Sequence, residues 1–350
     1  MTDVAVIGFA EAPNVRRGHG TTSGVEMLVP IFREVLAGIG LSKDDIGFWC
    51  SGSSDYLAGR AFSFVSAVDA IGAFPPIIES HVEMDGAWAL YEAWVKIRTG
   101  EVDTALAYGF GKSSAGDLRR VLAMQLDPYL LAPLWPDSVS IAALQARLGI
   151  DGGVWNEKEM AEDAVRARAA AMTNPHAQVA GQFSVGTLLD QPYIADPLRA
   201  HDCAPVSDGA AVVVLACGDR ARELCPRPAW ITGFEHRIDS HGLGLRDLTT
   251  SPSTAAAGWA AGVDAVEVAE LHAPFTHQEI VLSRALGLGA DVLVNPSGGA
   301  LCGNPMFAAG LARIGAAAQQ IMSGRAGRAL GHATSGPALQ QNLVCVMEGR

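Results

Sequence analysis

The segment Asn295–Gly310, NPSGGALCGNPMFAAG, places a glycine turn, a thiol and an amide directly before a small-residue helix. Gly298 and Gly299 follow a polar turn and allow another group to approach the backbone closely. Cys302 and Asn304 would supply an acid/base thiol and an amide donor, although a buried free cysteine is usually inert. Two interpretations stay open: the loop only turns the chain sharply, or it brings a substrate against the backbone.

The composition predicts a compact α/β enzyme with two packed halves. The chain has 350 residues, of which 49% are hydrophobic, 18% are charged and 39 are glycine. These values fit deep burial and many tight turns. The net charge is −12 and no lysine or arginine stripe is present, so we expect no nucleic-acid partner.

The cysteine pattern and the first residues predict a cytoplasmic protein. Six cysteines are scattered without a C-x-x-C pair, which is typical of reduced thiols. The opening MTDVAVIGFAEAP reads as a strand rather than a signal peptide, and no apolar run is long enough to span a membrane. His272 and His277 lack further ligands nearby, so we expect no metal site.

Alternating strand and helix patterns predict the fold. PPIIESHVEMDGAWALYEAWVKIRTGEVDTALAYGFG reads as strand, helix and buried strand, which implies parallel pairing. RPAWITGFEH resembles the opening DVAVIGFAEA and suggests a duplicated half. We therefore predict an N-terminal half over 1–222, which includes an inserted and partly helical loop region over about 115–200, and a C-terminal half over 223–350.

Three further segments contain candidates for chemistry. Glu83 and Asp85 lie just before a helix, where backbone N–H groups favour anions, although Asp85 also fits a plain N-cap. His272 ends a short apolar strand, at the edge where open α/β sheets bind ligands. His332 lies near another strand end, before a turn of small residues, where simple turn chemistry is the alternative.

Several segments in order along nearly the whole chain resemble the thiolase superfamily. The resemblance is to its sterol-carrier-type or lipid-transfer branch, and in particular to its steroid side-chain aldolase subgroup. The segments are VEMDGAWALYEA, DTALAYGFGKSS, HDCAPVSDGAAVVVL, ELHAPFTHQE, NPSGGALCGNPMFAAG and LQQNLVCVMEG. The resemblance implies two duplicated β/α halves in a five-layer αβαβα core with an inserted loop domain. It also implies acyl-CoA substrates, no covalently bound cofactor and a dimer.

The same resemblance shows where this chain departs from the family. Alignment on Gly86 puts Glu83 where a thiolase has its nucleophilic cysteine, and the family's Gly-His-Pro is Gly303-Asn304-Pro305 here. His272 matches the family's histidine, which helps to polarise the thioester carbonyl. A covalent route needs a thiolate, and an anhydride on Glu83 would hydrolyse.

Three functions remain open at this stage. The first is retro-aldol cleavage of a β-hydroxyacyl-CoA, for which His272 and backbone amides near Gly299 would stabilise the enolate. Its general base is Asp85, His332 or Tyr56. In the family this chemistry usually involves a small companion protein with a zinc ribbon and an OB-fold.

The second function is a CoA-dependent thiolase that uses Cys302 as a relocated nucleophile or acid/base. The third is a non-catalytic subunit that binds acyl-CoA or supports an active thiolase-like paralogue in a heterodimer. We expect either a homodimer or such a heterodimer.

Overall fold

The computed structural model describes residues 2–16, 23–55 and 62–350. Its strands are β1 Val4–Glu11, β2 Phe48–Gly52, β3 Glu79–Val82, β4 Thr104–Lys112, β5 Tyr193–Ala195, β6 Leu198–Arg199, β7 Val206–Cys217, β8 Ala229–Ile238, β9 Val268–Glu270, β10 Leu293–Val294, β11 Asn304–Pro305, β12 Arg328–Ser335 and β13 Gln341–Gly349. Its α-helices are α1 Gly24–Gly38, α2 Ser63–Ile71, α3 Gly86–Arg98, α4 Leu118–Ala123, α5 Ser138–Asp151, α6 Glu157–Ala170, α7 Val185–Leu189, α8 Gly218–Leu224, α9 Pro252–Ala261, α10 Thr276–Ala285 and α11 Ala309–Met322.

The strands form two half-sheets with matching order. The first runs β3-β2-β4-β7-β1 and the second runs β10-β9-β12-β13-β8. The two meet where β1 pairs with β8 over only two residue pairs. The predicted parallel pairing is present, because β3 and β4 are both parallel to β2. β7 is antiparallel to β4 and β1, so each half-sheet is mixed rather than wholly parallel.

Helices α3 and α11 lie between the half-sheets. Leu90 of α3 and Leu311 of α11 share one core with Val213 of β7 and Leu343 of β13. On the outer face of the first half-sheet α1 packs against β2 and β4, and on the outer face of the second α10 packs against β12 and β13. This gives five layers, αβαβα, as predicted.

The predicted central strand DTALAYGFG corresponds to β4. Eight of its nine residues are buried, because α3 covers one face and α1 covers the other. A strand covered on both faces reads as a continuous apolar run, which is how it was recognisable in the sequence.

The predicted loop region between β4 and β7 contains α4 to α7 and the small β5–β6 hairpin. Its Trp155 and Met160 pack in one core with Leu271, which follows β9. The loop region therefore lies over the carboxyl ends of the second half-sheet. The division after residue 222 stays a prediction.

No helix within the described ranges combines the length and apolar composition needed to cross a membrane.

Candidate active site

A cavity of about 490 Å³ opens between the loop region and the ends of β9, β11 and β12. Most of the side chains that line it are apolar. They include Leu122, Ile141, Ile194, Phe275, Leu301 and Leu339. His272, Asn304, Asp85 and the arginines at positions 16, 119 and 168 add polar groups to this wall. A largely apolar cavity with a few converging polar groups is the usual form of a small-molecule site.

His272 follows β9 and lies on the cavity wall, almost fully buried. The backbone N–H of Thr334 donates to His272 Nδ1 at 3.4 Å, and His272 Nε2 lies 3.0 Å from Asn304 Oδ1. Since Nδ1 accepts, the ring proton is on Nε2, which donates to Asn304. Burial lowers the pKa of His272, so the ring is neutral near pH 7.

Asn304 is held beside His272 by the pairing of β11 with β7. Asn304 and Val206 are strand partners, and the Asn304 N–H donates to Ser207 Oγ at 3.0 Å. No described residue accepts from Asn304 Nδ2 in the structure. His272 Nε2–H and Asn304 Nδ2–H are therefore two neutral donors on one wall. They suit a carbonyl oxygen that gains negative charge.

Asp85 caps two helices at once. Its Oδ1 accepts from the N–H groups of Ala87 and Leu311, both at 2.9 Å, and its Oδ2 accepts from Gly310 N–H at 2.9 Å. Ala87 belongs to α3, whereas Gly310 and Leu311 belong to the first turn of α11. The predicted N-cap is present, and Asp85 additionally joins α3 to α11 on the cavity wall.

Glu83 does not line the cavity. Its side chain is exposed, and Ser54 Oγ donates to Glu83 Oε1 at 3.3 Å. The position that aligns with the family's nucleophile thus carries an exposed carboxylate that is not part of the cavity wall. This placement gives Glu83 no part in the chemistry of the cavity.

Cys302 lies behind the cavity wall. It ends a single 3₁₀ turn, Ala300–Cys302, and packs against Ala167 and Ala171, while its neighbour Leu301 lines the cavity. Burial raises the pKa of the Cys302 thiol to about 11. A protonated thiol off the cavity wall does not support the role of a relocated nucleophile.

Gly298 and Gly299 use their backbone N–H groups for hydrogen bonds within their own loop. Gly298 N–H donates to Asn295 O at 2.9 Å and Gly299 N–H donates to Ser297 Oγ at 3.2 Å, and neither glycine lines the cavity. Both have positive φ, 94° and 63°, which explains why glycine is needed. The predicted oxyanion donors of this loop are therefore already occupied, and the side chain of Asn304 faces the cavity instead.

His332 is not placed to act as the base in this cavity. His332 is fully buried in β12, and its Nε2 lies 3.1 Å from Asn342 Oδ1. Burial lowers its pKa to about 3, and it does not line the cavity. Tyr56 lies outside the described residues.

Three wall residues were missed by sequence reasoning. Thr334 fixes the His272 tautomer through its backbone, and Arg168 and Cys203 line the cavity from the loop region and from the segment before β7. Burial raises the pKa of Cys203 to about 12, so this thiol is protonated. Cys203 lies in the DCAPVSDGAA motif, which was a usable signal, whereas Arg168 sits in an ordinary amphipathic helix.

The described residues contain no cluster of three or more His, Cys, Asp or Glu side chains that could hold a metal.

No protein-family model matches the chain. An acetyl-CoA acetyltransferase of Methanothermobacter thermautotrophicus is 26% identical over 366 residues, which cover 94% of this chain and 93% of the relative. Sterol carrier protein 2 of Gallus gallus is 26% identical over 303 residues, which cover 74% of this chain and 54% of the relative.

Two solved structures share the fold over nearly the whole chain. A structure described as an Ltp2-ChsH2(DUF35) aldolase has a TM-score of 0.81 at 18% identity and covers 99% of this chain and 98% of its own. Human mitochondrial 3-ketoacyl-CoA thiolase has a TM-score of 0.79 at 16% identity, with coverage of 100% and 99%.

The chain is similar over nearly its whole length to proteins of the thiolase superfamily. Its similarity to sterol carrier protein 2 confirms the predicted sterol-carrier-type branch, and the predicted thiolase fold is confirmed by the two structures.

Proposed function

We propose that the chain binds an acyl-CoA thioester and cleaves the Cα–Cβ bond of its β-hydroxyacyl group without an acyl-enzyme. The observation that carries this proposal is the pair of neutral donors, His272 Nε2–H and Asn304 Nδ2–H, on the wall of the apolar cavity. Such donors stabilise a thioester enolate. The only described cysteine on that wall, Cys203, is kept protonated by burial and is a poor nucleophile.

In the proposed reaction the substrate carbonyl oxygen replaces Asn304 Oδ1 as the acceptor of the His272 proton. The β-hydroxyl loses its proton to a base and its oxygen becomes a carbonyl. The electrons of the Cα–Cβ bond move into the thioester to form the enolate. The base then returns the proton to Cα, which releases an aldehyde or ketone and a shortened acyl-CoA.

We assign the base to Asp85, which is the one carboxylate that the described residues place on the cavity wall. Its Oδ2 accepts a single N–H, so that oxygen keeps a free lone pair. Because the Asp85 carboxylate already accepts three N–H groups, we assign most of the rate acceleration to stabilisation of the enolate.

Three arginines, at positions 16, 119 and 168, line the same cavity of a chain with net charge −12. Arg119 pairs with Asp137 at 3.1 Å, so the positive charge of Arg16 and Arg168 is what supports the binding of an anionic acyl-CoA ester. The aldolase with TM-score 0.81 has two named components, which supports a companion protein for this chain as well. The zinc-ribbon/OB-fold character of that companion, and a homodimer or paralogue heterodimer, follow from the family resemblance alone. Six free cysteines support a cytoplasmic location.

The test is to purify the chain alone and co-expressed with its genomic neighbours, then to supply β-hydroxyacyl-CoA and β-ketoacyl-CoA with and without free CoA. Mass spectrometry should detect a carbonyl product from the β-hydroxy ester without free CoA and without an adduct on the protein. Cleavage that needs free CoA, with an acyl group on Cys302 or Cys203, would replace the proposal with the thiolase function. Tight binding without turnover, together with an active co-purified partner, would identify a non-catalytic subunit.

A further inference from the structure

Arg168 lies on the cavity wall without a carboxylate in ion-pair contact among the described residues. It lies near the end of α6 and lines the cavity together with Val179 and Leu301. It forms no ion pair with any described residue, and its Nε is buried without a hydrogen-bond partner. Its guanidinium Cζ lies 5.1 Å from the centre of the Phe183 ring, which holds the group in place without neutralising it.

Three other arginines near the loop region form ion pairs with carboxylates. Arg166 pairs with Glu279 and Arg199 pairs with Glu157. Arg313 pairs with Glu270 at 3.0 Å. Since partial burial of an unpaired charge costs free energy, the lack of a carboxylate partner for Arg168 indicates that its anion comes from the ligand. Burial lowers the pKa of Arg168, and the charge of Asp202, which forms no ion pair with it, opposes part of that shift.

The position of Arg168 restricts the source of this anion. Arg168 lies beside the Ala300–Cys302 turn, which leads directly to Asn304, and Cys302 O accepts hydrogen bonds from the Gln178 and Val179 N–H groups that form the adjacent wall. The phosphates of CoA lie at the far end of its extended pantetheine arm from the thioester. A group close to the Asn304 loop is therefore part of the acyl group.

We propose that Arg168 selects acyl-CoA esters whose acyl group carries a carboxylate, bound by the planar guanidinium as a charge-assisted, bidentate pair. This inference rests on the proposed binding of acyl-CoA, and it adds the class of substrate. The carboxylate would fill the one cationic position on an otherwise apolar part of the wall.

The test compares two esters of similar length, glutaryl-CoA and hexanoyl-CoA, by calorimetric titration of the full chain; neither carries the β-hydroxyl that the proposed cleavage needs, so both report binding alone. For Arg168→Gln we expect the affinity for the glutaryl ester to fall by about 10- to 100-fold, while the affinity for the hexanoyl ester stays within about twofold. Arg168→Lys should recover only part of the loss, because lysine lacks the planar fork. The matched control is Arg325→Gln, which removes an exposed arginine away from the cavity and should change neither affinity.

An equal loss for both esters would assign Arg168 to a CoA phosphate and overturn the proposal. Unchanged affinities in Arg168→Gln would overturn it as well. If the unmodified chain binds neither ester, the proposed acyl-CoA function fails first and the inference fails with it, so the two failures are distinguishable.

Discussion

Replacement of Asp85 should destabilise the protein more than replacement of any ordinary helix cap. The side chain is 4% exposed and accepts three backbone N–H groups from two helices, all at 2.9 Å. Asp85→Ala leaves three buried donors without an acceptor, and each costs about 1–3 kcal/mol. The three losses are not additive, so we expect the free energy of unfolding to fall by about 3–6 kcal/mol.

Equilibrium urea denaturation, followed by tryptophan fluorescence and far-UV circular dichroism, would measure this loss. Asp117→Ala is the matched control, because Asp117 caps α4 through one hydrogen bond, from Arg120 N–H at 3.2 Å, at an exposed site. We expect Asp117→Ala to lower the free energy of unfolding by only about 0.5–1 kcal/mol. Asp85→Asn should lower the free energy of unfolding by an amount between those of Asp85→Ala and Asp117→Ala. The amide oxygen still accepts a hydrogen bond, but the amide NH₂ group faces a backbone N–H that needs an acceptor.

A loss for Asp85→Ala within about 1 kcal/mol of the Asp117→Ala control would refute the reasoning. It would mean that water or a rearranged helix end replaces the carboxylate, and that α3 and α11 do not depend on a shared cap. If Asp85→Ala does not fold, the milder Asp85→Asn still separates the two outcomes, because its predicted loss exceeds that of the control.

Three further variants test the site. His272→Gln should lower turnover by about 10²- to 10³-fold, because it removes the fixed donor to the enolate; an unchanged kcat would exclude His272 from catalysis. Cys302→Ser should keep the wild-type rate, and iodoacetamide at pH 8 should label Cys302 only after unfolding, since its pKa is raised to about 11. Burial lowers the pKa of His332 to about 3 in the folded protein, against about 6.5 in the unfolded chain. As the pH falls below about 6.5, the unfolded chain binds a proton that the folded protein does not, so the free energy of unfolding decreases. His332→Gln should reduce that loss by up to about 1.4 kcal/mol per pH unit in urea titrations between pH 7 and 4.5, and an identical slope would contradict the assignment.

The layered fold was accessible from the sequence because its signals are local. β4 is apolar along nearly its whole length since helices cover both faces, and Asp85 stands directly before a helix that it caps. The mixed direction of the half-sheets was not accessible, because β7 and β1 pair by contacts between residues that are about 200 positions apart in the chain. Apolar periodicity does not encode strand direction.

The site was only partly predictable, because small differences in backbone position decide which side chain reaches the cavity. His272 and Asn304 were both named from the sequence, and they meet because β11 pairs with β7. Cys302 is two residues from Asn304, yet the 3₁₀ turn directs Leu301 to the cavity and Cys302 to the packed interior. Arg168 has no motif at all, and only tertiary packing shows that its charge is unpaired.

The placement of Glu83 and Asp85 argues that the covalent route cannot be restored by one substitution. A thiolate nucleophile at a helix start is activated by free N–H groups and the helix dipole. In this chain the Asp85 carboxylate already accepts N–H groups at the starts of both α3 and α11, and residue 83 is exposed and off the cavity wall. We therefore expect Glu83→Cys, incubated with acetyl-CoA, to show no acetyl adduct by intact-protein mass spectrometry, with total thiol counted by a chromogenic reagent as the control for a reduced side chain. Rapid, stoichiometric acetylation of the introduced thiol would show instead that the position still faces the thioester, and the assignment of the cavity wall would have to be revised.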